Sequence, residues 1–296
     1  MTTRERLIEL LEKLAAKEGH TPSTLDGVQF FRSDQPTARV PVVYEPRIVI
    51  VGQGRKRGFL GGQVFTFDAY NYLVLSVPLP FECEAVEASP EKPLLGVTVR
   101  VSPSTLGELL LEMDEDPMLE GRAPQGIYST RLTDDLSGAA VRLLESLQSR
   151  TDSRILGPQI VREITYLVLR GEQGGALRAL AARHGHFSRI ARVLTRIHTD
   201  YARAIDIETL ANDAHMSVST FHHNFKAVTS TSPMQYVKSI RLHNARMLMA
   251  LEGLSAAAAA GRVGYESASQ FSREFKRFFG NPPAVEAMRM RARGFE

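Results

Sequence analysis

Apolar residues recur every three or four positions near the start of the chain, at Leu7, Leu10, Leu11 and Leu14, and predict an amphipathic helix there. Between residues 38 and 102 the period changes. Arg47–Val51, Arg55–Leu60, Gln63–Phe67 and Tyr72–Val77 are short runs of strand-forming residues, and Gly61-Gly62 between two of them is a two-residue hairpin signal. Pro78, Pro80, Pro90 and Pro93 then interrupt the pattern, as prolines do at strand edges. The stretch predicts a small antiparallel β-barrel or sandwich, a shape that commonly holds a ligand in its mouth. From residue 130 to 182 the helical period returns, with Leu143, Leu144 and Leu147 in one helix and Ile160, Ile164, Leu167 and Val168 on one face of another. These helices either form a dimer interface or shoulder the barrel, and the spacing is the same for both.

The last third of the chain repeats itself. Ser217, Ser219, Phe221, Phe225, Lys226 and Pro233 recur fifty residues on as Ser267, Ser269, Phe271, Phe275, Lys276 and Pro283, six matches in 17 positions. In the first copy Ile207, Leu210, Ala211 and Ala214 lie on one helical face, which Asp206 can cap. After the turn His215-Met216, Ser217 can cap a second helix whose Phe221 and Phe225 face inward. Ser219, Thr220, His222, His223 and Lys226 are left pointing outward. A short helix supporting a second one with a polar outer face is a helix-turn-helix, the shape that a major groove accepts. Ser232-Pro233 then starts a helix that runs to Glu252-Gly253, a rigid spacer of about 28 Å, against about 34 Å between successive major-groove faces.

These residues are similar to the AraC/XylS family of transcription regulators. The resemblance rests on LANDAHMSVSTFHHNFKAVTSTSPMQY, RLHNARMLM and RVGYESASQFSREFKRFFGNPP, over residues 190 to 290. It continues upstream to a subgroup of these regulators through YEPRIVIVGQGRKR, FDAYNYLVLSVPLP and LGPQIVREITYLVLRGEQG. The resemblance implies an α+β chain: residues 1–180 form a cupin-like β-barrel with helices that senses an effector and dimerises, and residues 181–296 form an all-α domain of two helix-turn-helix units. It implies base contacts from Ser219, His222 and His223 in the first unit and from Ser269, Gln270, Ser272 and Arg273 in the second. Lys226, Lys276 and Arg241 are expected on phosphates. The expected partners are promoter or operator DNA, an unidentified small molecule, a second copy of the chain and RNA polymerase. Two departures stand out: Ser230 is where the family usually has Gly, and Ala256–Ala260 offers only methyls where a bulky aliphatic is usual.

Charge agrees with this division. Residues 189 to 296 hold 15 Lys/Arg and nine Asp/Glu, a net +6, so a chain of net +3 leaves −3 for the rest. One cysteine, Cys83, excludes an intramolecular disulfide and any Cys-rich zinc site, which reads as a cytoplasmic protein. Cys83 lies between Glu82 and Glu84, neighbours that disfavour a reactive thiolate. The N-terminus lacks the apolar core of a signal peptide, and no stretch approaches 18 apolar residues, so no membrane partner is expected.

Enzyme readings fail on residue types. A metal-binding cupin needs several histidines and a carboxylate on its strands, whereas the eight histidines lie at 20, 184, 186, 198, 215, 222, 223 and 243, outside the predicted strands. Arg183-His184-Gly185-His186 has no carboxylate or cysteine beside it and reads as a linker. No metal, cofactor or catalytic residue is expected. Tyr44, Phe67, Tyr70, Tyr72 and Phe81 are candidates to line an effector cup, against the plainer reading that they are core aromatics. The alternatives to a regulated DNA binder are a cupin-type enzyme fused to a helix-turn-helix and a DNA-binding protein without a ligand.

Overall fold

The computed structural model describes residues 1–113, 125–172, 174–181 and 185–293. Helix α1 (Thr3–Leu14) opens the chain with a capping box, in which Thr2 accepts from the Glu5 amide while the Glu5 carboxylate accepts from the Thr2 amide. There follow β1 (Gly19–Pro22), β2 (Val28–Ser33), β3 (Val40–Tyr44), β4 (Arg47–Gln53), β5 (Arg55–Leu60), β6 (Gln63–Asp68), β7 (Asn71–Leu75), β8 (Leu79–Glu87) and β9 (Leu94–Arg100). After α2 (Pro103–Glu112) and β10 (Ile127–Arg131) the chain is helical: α3 (Asp134–Ser146), α4 (Arg150–Ile155), α5 (Gly157–Arg170), α6 (Gly175–Ala181) and α7 (His186–Asp200). Six more helices close it, α8 (Ile207–Asp213), α9 (Val218–Thr229), α10 (Pro233–Leu251), α11 (Ala256–Arg262), α12 (Ala268–Phe279) and α13 (Pro283–Arg293).

All strand pairs are antiparallel. One row runs β1-β2-β9-β4-β7, with β10 against the other edge of β7, since β4 and β10 both pair with Leu75. At the β6–β7 corner only Asp68 and Asn71 pair, and the sheet folds over into a second row, β6-β5-β8-β3. The result is a half-barrel. Gly61 and Gly62 link β5 to β6 with φ of 58° and 80°, a turn open to glycine at no steric cost and closed to most other residues. Pro41 sits in β3, an edge strand, where its missing N–H leaves no partner unsatisfied.

Strand periodicity sorts the core. Along β4, Ile48 and Ile50 face one way and Val49 and Val51 the other; along β7, Tyr72 and Val74 oppose Leu73 and Leu75. The first set packs under α1, α2, α3, α5 and α6 through residues such as Leu10, Leu106, Leu143, Ile164 and Leu177. The second set fills the concave side with Phe67 and Phe81, and there the core does not stop at the barrel. Phe187, Ile190 and Leu194 of α7, Phe221 and Phe225 of α9, and Tyr236 and Ile240 of α10 belong to the same buried cluster. One apolar core therefore crosses the boundary expected at residues 180–181. A separate cluster, with Leu242, Met249, Phe271 and Phe275, joins the second half of α10 to the second unit.

Two expectations are corrected here. The strands begin earlier than residue 38, because β1 and β2 precede it, and they place His20 in β1, with its ring 6.1 Å from Phe31. Short polar runs such as Gly19–Pro22 carry no strand period and become strands by pairing with β2. Glu82 and Glu84 lie on the face of β8 away from Cys83, paired with Arg39 and Arg57, while the thiol is buried among the barrel side chains. The thiol is thus enclosed by the barrel core, and the two carboxylates face the other way. Of the Arg183–His186 run, 183 and 184 lie outside the described residues, and His186 begins α7.

Candidate nucleic-acid interface

Each helix-turn-helix unit is set by local chemistry. Asp206 caps α8 by accepting from the Thr209 amide at 2.8 Å, and Ser217 caps α9 by accepting from the Thr220 amide at 3.2 Å. Hydrogen bonds from the Thr209 hydroxyl and amide hold the Asp206 carboxyl below its ordinary value. Ser255 and Ser267 do the same for α11 and α12, accepting from the Ala258 and Gln270 amides. The first helices of the two units stand 49 residues apart and the second helices 50 apart. The second turn is thus one residue longer than the first, and it passes through Gly264 with φ of 84° where the first uses His215 with φ of 51°.

The inner faces are phenylalanine. Phe221 and Phe225 lie 5.4 Å apart and so do Phe271 and Phe275, all four fully buried. This orients the outer faces. On α9, Ser219, Thr220, His222, His223 and Lys226 are exposed; on α12, Ser269, Gln270, Arg273 and Lys276 are exposed and Ser272 is half-buried. The fold therefore brings the predicted outward residues of each unit onto one surface strip per helix. Two of them are already engaged: the Thr220 hydroxyl lies 2.8 Å from that of Ser217, within the cap, and the Gln270 amide donates to Glu274 at 3.2 Å. Burial pushes the Glu274 carboxyl up, but bonds from Lys238, Gln270 and Tyr265 outweigh it and hold the group below its ordinary value. Arg277, exposed one turn from Arg273, was not singled out, although the i,i+4 spacing carries it.

Arg241 is a correction. It was expected on phosphate, yet its guanidinium donates to the carbonyls of Tyr201, Gly264 and Arg203, tying α10 to the end of α7 and to the second turn. Nothing in its spacing distinguishes such a clamp from a surface cation; only the approach of three carbonyls does. α10 itself spans 19 residues, about 28 Å. Its first half, with Tyr236 and Ile240, packs into the barrel core, and its second half, with Ala245 and Met249, into the second unit.

The C-caps differ in a way that can be measured. Gly280 ends α12 with φ of 79°, and Ser230 ends α9 at the same place with φ of 58°, a left-handed conformation that costs a residue with a Cβ about 1 kcal/mol. Ser230→Gly is expected to raise stability by about 0.5–1 kcal/mol, and Gly280→Ser to lower it by a similar amount. Denaturant unfolding of both variants checks this; shifts of the same sign would remove the cap as the cause.

The aromatic candidates separate. Tyr44, Phe67 and Phe81 lie on the concave side, with Tyr44 and Phe81 edge-to-face at 5.1 Å and the Lys56 ammonium 3.3 Å from the Tyr44 hydroxyl. Tyr72 faces the helices on the convex side, and Tyr70 is exposed with Arg4 stacked 4.9 Å above its ring. Alternation along β7 and the turn before it dictate this, and only the three concave residues share a site.

Comparison with known proteins matches residues 24–176, just over half the chain, to the AraC-type transcriptional regulator N-terminus, and residues 210–287 to a helix-turn-helix domain. The chain belongs to the AraC-type transcription regulators. It is 36% identical over 94 residues to a putative AraC-like transcription regulator of Streptomyces lividans, covering 32% of this chain and 31% of that one. It is 33% identical over 103 residues to the RCS-specific HTH-type transcriptional activator RclR of Escherichia coli, covering 35% of this chain and 36% of that one. The chain thus spans about a third of the length of these curated relatives. Its fold is that of ToxT from Vibrio cholerae: an apo structure of a ToxT variant aligns with a TM-score of 0.60 over 92% of this chain and 99% of that one at 13% identity. A wild-type ToxT structure with unsaturated fatty acid bound aligns with a TM-score of 0.58 over 92% and 97% at 12% identity. The named relatives are transcription regulators. No helix among the described residues is long and apolar enough to cross a membrane.

Proposed function

We propose that the chain is a cytoplasmic regulator, with no catalytic activity of its own, that reads promoter DNA through α9 and α12 and answers to a small molecule held by residues 1–180. One observation carries this: two capped helices, each anchored by a buried phenylalanine pair and each with an exposed polar face, are joined by a single rigid helix. In this reading Ser219, His222 and His223 meet bases from α9, while Ser269, Gln270, Ser272 and Arg273 do so from α12. Lys226, Lys276 and Arg277 meet phosphates, and residues 181–296 are the reader. Tyr44, Phe67 and Phe81 line the effector cup, and Lys56 beside Tyr44 suits an acidic head group on an apolar body, the chemistry of the fatty acid in the ToxT structure. A second copy of the chain and RNA polymerase complete the proposed assembly.

Arg273 is the sharpest test. Its planar fork matches the O6 and N7 of guanine, worth about 1–3 kcal/mol of discrimination against another base. Arg273→Ala is expected to erase one guanine preference in a binding-site selection with the full chain. If the variant binds every sequence more weakly and keeps the parent's base preference, Arg273 meets only phosphate.

A further inference from the structure

Between the barrel and α7 lies a cavity of about 220 Å3, roofed by Val77, Val101 and Ala191 and carrying the polar side chains of Glu45, Ser76, Thr195, His198 and Thr199. A hydrogen count around it is one-sided. The Ser76 hydroxyl donates to the Gly126 carbonyl at 3.3 Å, Thr195 to Ala191 at 3.1 Å and Thr199 to Thr195 at 3.1 Å, so each offers the cavity lone pairs alone. The Tyr236 hydroxyl donates to the Pro78 carbonyl at 2.7 Å and lies 2.8 Å from His198 Nε2. Since the tyrosine hydrogen is committed to Pro78, Nε2 must carry the hydrogen of that second bond. A neutral imidazole then has a bare lone pair on Nδ1.

That lone pair faces Glu45 Oε1 at 3.6 Å, so two acceptors meet with no hydrogen between them. Burial favours the neutral ring, pushing the His198 pKa down to about 4. Arg47 feels the Glu45 charge, but its guanidinium donates to the backbone carbonyl of Glu45 and stacks 5.4 Å above Tyr44, and among the described ion pairs the Glu45 carboxylate has His198 alone. One imidazole and one carboxylate are an incomplete metal set. An anion would meet only acceptors. The occupant that fits brings donors, positive charge and apolar surface, and the volume is below the several hundred Å3 of a drug-sized pocket.

We propose that this cavity binds a small organic cation, a primary ammonium on a compact apolar body, with its N–H groups between Glu45 and His198 and its body against Val77, Val101 and Ala191. Such an occupant touches the barrel and α7 together, in a place separate from the concave cup of Tyr44, Phe67 and Phe81.

The experiment is calorimetric titration of the full chain, without DNA, by benzylamine, benzyl alcohol and benzoate near pH 7.5, where the amine is protonated. Reading binding without DNA separates this site from the assignment of the DNA contacts. Benzylamine is expected to bind saturably, and the alcohol and the acid about tenfold more weakly or less, since a charge-assisted bond is about twice as strong as a neutral one. Glu45→Gln, at a half-exposed position that keeps the fold, should cost the amine about tenfold and leave the alcohol unchanged. Thr195→Lys, which tethers an ammonium at the rim, should abolish amine binding. Equal affinity for the three probes, no saturable binding of the amine, or an amine affinity unmoved in both variants would overturn the proposal.

Discussion

Phe225→Ala is expected to destabilise the barrel as well as the first helix-turn-helix unit, by about 3–5 kcal/mol, the usual cost of emptying a buried phenylalanine site. The reach of the effect follows from where Phe225 sits. It packs on Phe221 at 5.4 Å and edge-to-face on Tyr236 at 5.5 Å, in the cluster that also holds Val49, Val51, Phe67 and Phe81 of the barrel. Phe275→Ala should cost a similar amount but act locally, because the buried residues of its cluster all lie between Leu242 and Ala287 and none belongs to the barrel. Hydrogen exchange separates the two. Amides of β4 should exchange faster in Phe225→Ala and at the parent rate in Phe275→Ala. Unchanged β4 exchange in Phe225→Ala would mean that barrel and reader do not unfold as one body.

Acidification should destabilise the protein before its carboxylates titrate. His20 and His198 are each pushed down to about 4, by burial in both cases and by the nearby Lys56 and Arg47 for His20. Burial, together with Arg246 and His198, also holds His243 well below its ordinary value, with its ring edge-to-face against Phe278 and Phe279 at 5.4 and 5.2 Å. In each case the folded pKa lies below the unfolded one, about 6.5, so the unfolded chain takes up protons first as pH falls. For His20 and His198 that stability is complete above about 6.5 and is lost between there and about 4, at about 2 kcal/mol each by pH 5; His243 acts in the same direction. Thermal midpoints between about pH 7.5 and 5 should therefore fall by roughly 10 °C or more. His243→Leu, which removes one titrating group from an apolar site, should flatten the curve by about a third of its slope if the three contribute alike. A midpoint that does not move over this window would show that the buried rings have room to protonate in place.

Much of the reader was legible along the chain because its determinants are local. Asp206 and Ser217 precede the helices they cap, the phenylalanines stand four apart so that they must share a face, and the Gly61-Gly62 turn admits little but glycine. A cap, a helical period and a turn each involve residues within a few positions, so the sequence by itself determined the two helix-turn-helix units, their outward residues, the spacer helix and the antiparallel character of the first half. Distant pairing left no such trace. β1 exists because β2 lies beside it, and Arg241 is a clamp because Tyr201, Gly264 and Arg203 converge on it. The same holds for the division of Tyr44, Phe67 and Phe81 from Tyr70 and Tyr72, and for the meeting of His198 with Glu45 across more than 150 residues of chain. What only the tertiary structure decided is that the first unit and the barrel share one core. Apolar burial is non-directional, and a periodic stripe of side chains states that a face must be covered without stating by what.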